Sequence, residues 1–216
     1  IEGSVTPEEA SGDLTFTVTG PEYPNGKTFT IGEGGFTKVG DQYVLELNDI
    51  AVGDYTVEET DCDIDGNTVV VTYKIGDNNE VEGKSVAFRL ANGDNTEITF
   101  KDEYTSIPAE VTLSATKTLS GEDLAADQFS FTLSDASGVL QTKKNAADGT
   151  VAFDKLTFSQ AGTYTYYVEE TDKTDETNYT YSDEKYTVVV TVTESKGKLS
   201  RTTAITNKAG SEVVTT

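Results

Sequence analysis

Apolar and polar residues alternate with period two in short runs along most of the chain. In the first half the pattern is carried by Leu14-Thr-Phe-Thr-Val18, Tyr43 to Leu47, Val69 to Tyr73, Ser85 to Leu90 and Glu97 to Tyr104. In the second it is carried by Val111 to Leu119, Phe129 to Leu133, Gly162 to Thr171, Tyr186 to Val192 and Thr203 to Asn207. Strand side chains point alternately to opposite faces, so each run predicts a β-strand with one inward face. Short strands separated by Gly, Asn, Asp and Pro turns predict an all-β, immunoglobulin-like sandwich. Gly53-Asp-Tyr-Thr-Val-Glu-Glu-Thr60 is a shorter copy of Gly162-Thr-Tyr-Thr-Tyr-Tyr-Val-Glu-Glu-Thr171, which predicts two tandem units. Pro and small polar residues at Thr105-Ser-Ile-Pro108 mark the linker, giving expected domains at residues 1–105 and 106–216. One helical turn is expected at Glu122 to Asp127, where acidic residues suit a helix N-terminus.

Three inward faces in the second half carry a polar residue. Tyr164, Tyr166 and Val168 share theirs with Glu170. Val111, Leu113, Ala115 and Leu119 share theirs with Lys117, and Thr203 and Ile205 share theirs with Asn207. A charge in an apolar core needs a partner or must be neutralised. A buried amine, a buried acid and a carboxamide are the ingredients of a spontaneous amide cross-link. Burial disfavours the charged forms, so a neutral amine can coexist with a protonated acid. The amine attacks the Asn carbonyl, the acid polarises that carbonyl and shuttles protons, and ammonia leaves. Glu169 has the opposite parity and is expected on the outer face.

At these residues the chain resembles a known family. Residues 109–208 look like an isopeptide-forming pilin domain of Gram-positive bacteria, of the streptococcal T-antigen shaft type. The resemblance includes Ala115-Thr-Lys-Thr-Leu119, Phe129-Ser-Phe-Thr-Leu133, Asn145-Ala-Ala-Asp-Gly149, the Glu170 segment, Tyr186-Thr-Val-Val-Val-Thr-Val192 and Ile205-Thr-Asn207. It implies Lys117 as nucleophile, Glu170 as catalytic acid and Asn207 as acceptor. Residues 1–105 resemble a more divergent domain of the same, Cna-B-like, type. There Tyr55, Val57 and Glu59 share a face, as do Ile98, Phe100, Asp102 and Tyr104. Related domains form Lys–Asp amides, which implies Asp102 as acceptor and Glu59 as acid. Aligning Thr118-Leu-Ser-Gly121 with the start of the chain puts the matching Lys two residues before Ile1. Three readings follow: the Lys-bearing strand has been cut off, it is supplied by another chain or a preceding segment, or the first unit never carried the bond. The first is favoured, because an unpaired Glu59 and Asp102 on one inner face repel each other. Lys27, Lys74 and Lys84 are other amines of this half, and nothing in the pattern places them beside Asp102.

Composition narrows the function. At 216 residues the chain can bury two cores. A net charge of −22 and a pI near 4.1 argue against nucleic acid or an anionic membrane as partner. No apolar run is long enough to span a membrane, and no signal peptide opens the sequence, which reads as a cytosolic protein or, the favoured reading, as a fragment or mature piece of an exported one. The single cysteine, Cys62, excludes an intrachain disulfide, and an internal amide would serve as staple instead. With no His the chain lacks the commonest zinc ligand and the most versatile base, and no cofactor is expected. Asp61-Cys-Asp-Ile-Asp-Gly66 matches the first half of a calcium loop, but its twelfth position is Thr72. Asp61, Asp63 and Asp65 are thus weak metal candidates against the reading of an acidic turn.

The resemblance implies a structural, extracellular protein anchored to the cell wall: a backbone pilin joined head to tail with neighbouring subunits by a pilus sortase, and reaching host surfaces through an accessory adhesin. Glu212-Val-Val-Thr-Thr216 loosely resembles a sorting motif cut at Thr216, without its usual Pro, and Lys101 and Lys84 are candidate acceptors for polymerisation. The alternative is a stalk repeat of a large adhesin that no sortase polymerises. A turnover enzyme is not expected, because the three site residues are buried and consumed once.

Overall fold

The computed structural model describes residues 1–171, 173–175 and 177–213, and every regular element in it is a β-strand. The chain divides into two compact units, Ile1–Ile107 with Ser195–Lys198, and Pro108–Glu194 with the residues from Leu199 on.

The first unit contains β1 (Glu2–Gly3), β2 (Thr15–Thr19), β3 (Lys27–Thr30), β4 (Phe36–Val39), β5 (Gln42–Leu45), β6 (Gly53–Asp61), β7 (Asn67–Ile75), β8 (Val81–Glu82), β9 (Ser85–Leu90) and β10 (Ile98–Ser106). They form two four-stranded sheets, β1-β10-β7-β8 and β3-β2-β6-β9, and the hairpin β4-β5. The alternation read from the sequence decides what lies inside. Leu14, Phe16 and Val18 are buried, as are Tyr55 on β6, Val71 on β7 and Tyr104 on β10. Full burial of side chains of this kind stabilises by roughly 1.5–3 kcal/mol each. The short β1 runs parallel to β10 and covers only Glu103 and Tyr104, through Glu2 and Gly3.

The second unit contains β11 (Ala109–Val111), β12 (Ser114–Thr116), β13 (Ser130–Asp135), β14 (Gly138–Lys144), β15 (Thr150–Ala152), β16 (Leu156–Phe158), β17 (Gly162–Thr171), β18 (Lys185–Ser195) and β19 (Lys198–Thr206). Its main sheet runs β14-β13-β17-β18-β19, so β17 is central. The small pairs β11-β16 and β12-β15 complete the unit. Phe131, Leu133, Val151, Tyr166, Val168, Val188, Val190 and Val192 belong to one buried cluster.

Three local expectations change. The single strand expected over Val111 to Leu119 is broken, because β11 pairs with β16 and β12 with β15. Its parity survives the break: Val111 and Leu113 are buried, Ala115, Lys117 and Leu119 are half-buried, and the Thr and Ser residues between them are exposed. The helical turn at Glu122 to Asp127 does not form. Asp127 sits in the left-handed region at φ 62°, and Gln128 Oε1 accepts a hydrogen bond from the Ala125 amide at 3.0 Å. On β19, Thr203 is exposed rather than inward, whereas Ile205 packs on the core.

Leu133 is 0% exposed and lies on β13 between β14 and β17. Leu133→Ala should destabilise the protein by about 2–5 kcal/mol in denaturant titration, through lost transfer energy and a cavity. Val139→Ala on the exposed edge strand β14 should change stability by no more than about 0.5 kcal/mol.

Candidate functional site

The alternation along β17 puts Tyr166 and Val168 into the core of the second unit, and the same parity carries Glu170 inside behind them. Glu170 lies across from Phe131 on β13. Lys117 directly follows β12, where its amide donates to the Gly149 carbonyl at 2.8 Å. Lys117 Nζ donates to Glu170 Oε1 at 2.7 Å, and the two side chains are only 11% and 3% exposed. The ammonium also lies 4.1 Å from the centre of the Phe129 ring. The amine and the acid expected from sequence are thus in contact, in surroundings that are otherwise apolar.

The Asn145 to Gly149 turn shapes this corner. Asn145 is buried with its side chain fully engaged: Oδ1 accepts from the Phe129 amide at 2.8 Å, and Nδ2 donates to the carbonyls of Ala125 at 2.8 Å and Ala146 at 3.0 Å. It therefore fixes the backbone that carries Phe129. Gly149 sits at φ +90°, and a Cβ there would fall 2.3 Å from the Lys117 carbonyl oxygen, so only glycine lets the turn approach Lys117 so closely. Tyr179 and Tyr181 pack edge-on against Phe129, at 5.4 and 6.0 Å between ring centres. The turn was visible as a motif, but the part played by Asn145 and by the two tyrosines was not, because each depends on contacts between distant segments.

Glu169 points the other way, as its parity requires, and pairs with Lys185 at 3.3 Å on a part-exposed face. Asn207, just beyond β19, is half-buried. It is not hydrogen-bonded to Lys117 or Glu170; its Oδ1 accepts from the backbone amides of Ala209 at 3.1 Å and Ser211 at 2.9 Å. The structure therefore joins two of the three expected residues by direct contact and holds the third in a turn of its own.

In the first unit Glu59 and Asp102 are 2% and 3% exposed. No donor from outside the pair reaches either oxygen of Glu59 or Asp102 Oδ1, and the two carboxyls hydrogen-bond each other. Burial, followed by the neighbouring charge of Asp102, pushes the Glu59 carboxyl up to about 9. Burial raises Asp102 as well. The positive charge of Lys84 acts on both acids without an ion pair to either among the described residues. Lys84 itself is exposed, with its ammonium kept charged first by the Cys62 thiol beside it. Lys101, on β10 next to Asp102, pairs with Glu2 at 3.0 Å.

Asp61, Asp63 and Asp65 are exposed, and Asp65 pairs with Lys198 at 2.6 Å. Among the described residues no group of three or more His, Cys, Asp or Glu side chains is gathered to hold a metal ion. No helix among them is long and apolar enough to cross a membrane.

The second unit is all-β, and its core closes around an amine–carboxylate pair. Residues 113–214 match the family of Spy0128-like isopeptide containing domains, FctA. This stretch is similar to that isopeptide-containing family, which is one of structural pilin domains. No curated protein matches the chain.

The raised carboxyl of Glu59 fixes the sign of a pH effect. A buried acid that keeps its proton on folding gives stability that is present below the unfolded-state value of about 4.5 and is lost as pH rises toward 9. Glu59→Gln should therefore leave the melting temperature nearly unchanged at pH 4 and raise it at pH 8, as followed by calorimetry. A difference independent of pH would contradict the assignment.

Proposed function

We propose that this chain is a structural subunit of a Gram-positive surface fibre, a backbone pilin locked internally by an amide between Lys117 and Asn207 that Glu170 promotes. The observation that carries this reading is the buried Lys117–Glu170 contact at 2.7 Å, inside the span that matches the isopeptide-containing family. In the reaction the Lys117 amine adds to Asn207 Cγ, Glu170 takes a proton from the amine and returns it to Nδ2, and ammonia departs. A secondary amide replaces a primary amide and an amine, and no external reagent is consumed. The product closes a loop in the unfolded chain, worth about 4–5 kcal/mol for loops on the order of 100 residues, and it does not yield to reduction.

The two units are read as tandem immunoglobulin-like sandwiches of Cna-B type, divided near residues 105–108. In the first, Asp102 is the acceptor and Glu59 the acid of a Lys–Asp amide. Two observations support this: the lack of any outside donor to the Glu59 oxygens and Asp102 Oδ1, and the stretch of β10 from Ile98 to Asp102 that β1 leaves uncovered. Head-to-tail polymerisation by a sortase, with Lys101 or Lys84 as acceptor, completes the proposal. Thr216, of the segment that loosely resembles a sorting motif, lies outside the described residues. An exposed, cell wall-anchored location follows from this role, and contact with host surfaces falls to an accessory adhesin.

The purified chain should weigh one ammonia less than its sequence, by intact mass. Lys117→Ala should restore the full mass and lower the melting temperature by roughly 15–30 °C, from the lost cross-link and a stranded buried acid. Full mass in the folded, unaltered chain would remove the mechanism.

A further inference from the structure

We propose that the backbone amides of Ala209 and Ser211 form an oxyanion hole for the side-chain carbonyl of Asn207, so that the turn after β19 is part of the cross-linking machinery. The inference rests on the reading of Asn207 as acceptor.

A carboxamide is a poor electrophile, and its oxygen must take up negative charge when an amine adds to the carbon. Backbone donors already aimed at that oxygen lower the barrier because they do not reorganise during the reaction. Asn207 Oδ1 has two such donors, the amides of Ala209 at 3.1 Å and Ser211 at 2.9 Å.

Other contacts hold the donors in place. The Asn207 amide donates to the Ser211 carbonyl at 2.9 Å, the Gly210 amide to the Asn207 carbonyl at 2.9 Å, and the Val213 amide to the Ile205 carbonyl at 2.8 Å. Thr206 and Glu212 form an antiparallel bridge across the turn. Gly210 closes it at φ +80°, a conformation that side chains resist. Lys208 ties it to the segment before β18, through its amide to Glu184 at 3.3 Å and its Nζ to Asp183 at 2.6 Å.

This arrangement divides the chemistry. Glu170 is hydrogen-bonded to Lys117 and not to Asn207, so it handles the proton while the amides handle the charge. As the Nζ–Cγ bond forms, the carbonyl π electrons move onto Oδ1 and a proton passes from Nζ to Glu170. Collapse restores the carbonyl, breaks the Cγ–Nδ2 bond and releases Nδ2 as ammonia with the proton from Glu170. The sequence alone had assigned both tasks to the acid.

The test uses the full chain made by cell-free translation, quenched in acid at timed intervals and weighed intact. In one variant an ester replaces the amide at residue 211, removing only the N–H; Ser211→Pro and Ala209→Pro remove it by substitution, and Ser211→Ala keeps it. In chains whose circular dichroism shows folding complete, the ester and proline variants should lose ammonia at least about tenfold more slowly than the unaltered chain, approaching about 10²–10³-fold. Ser211→Ala should match the unaltered rate. The inference is overturned if the folded ester variant reacts as fast as the unaltered chain, or if the variants lower the melting temperature in a Lys117→Ala background while leaving the rate unchanged. An unaltered chain that keeps its full mass overturns the cross-link itself, a separate result.

Discussion

Lys117 and Glu170 meet at 2.7 Å inside an apolar sandwich, and the corner around them is arranged to keep them together. Taking two such charges out of water costs several kcal/mol per ion, and their attraction offsets this only when the geometry is good. The structure supplies that geometry from both sides. The central strand β17 fixes Glu170, and the Asn145 to Gly149 turn grips the backbone of Lys117. The ring of Phe129 then fills the remaining side of the ammonium. In the proposed reaction the pair does not persist: a neutral amide takes the place of the ammonium, and the desolvation cost of the amine goes with it. A contact that is awkward as a permanent salt bridge is well suited to a bond made once.

The first unit shows the same constraint without its solution. Glu59 and Asp102 hold the positions that parity gives them on β6 and β10, yet no donor from outside the pair reaches the Glu59 oxygens or Asp102 Oδ1. Burial raises both acids, and the neighbouring charge of Asp102 adds to the rise of Glu59 to about 9. The short β1 reaches Glu103 and Tyr104, one step from Asp102. A cation beside Asp102 would turn the repulsion into attraction.

Much of this was legible in the sequence because β-structure writes burial in a period of two. The inward positions of Phe16, Tyr55, Glu59, Asp102, Tyr166, Val168 and Glu170 all followed from counting alternate residues, and so did the outward Glu169. Parity also carried Lys117 to the inner side, although its strand is broken after Val111. What parity cannot supply is contact between segments far apart in the chain. The engaged side chain of Asn145, the tyrosines against Phe129 and the turn amides on Asn207 depend on loops, where no period applies. Glu122 to Asp127 misled for a related reason: acidic residues at a helix start are a preference, and here Asp127 adopts a left-handed backbone that ends any turn.

The central claim is a covalent one, and peptide mapping of the denatured protein tests it most directly. After digestion the peptides containing Lys117 and Asn207 should be recovered as a single branched species, lighter than their sum by one ammonia. Recovery of the two as separate, unmodified peptides from folded protein would contradict the account.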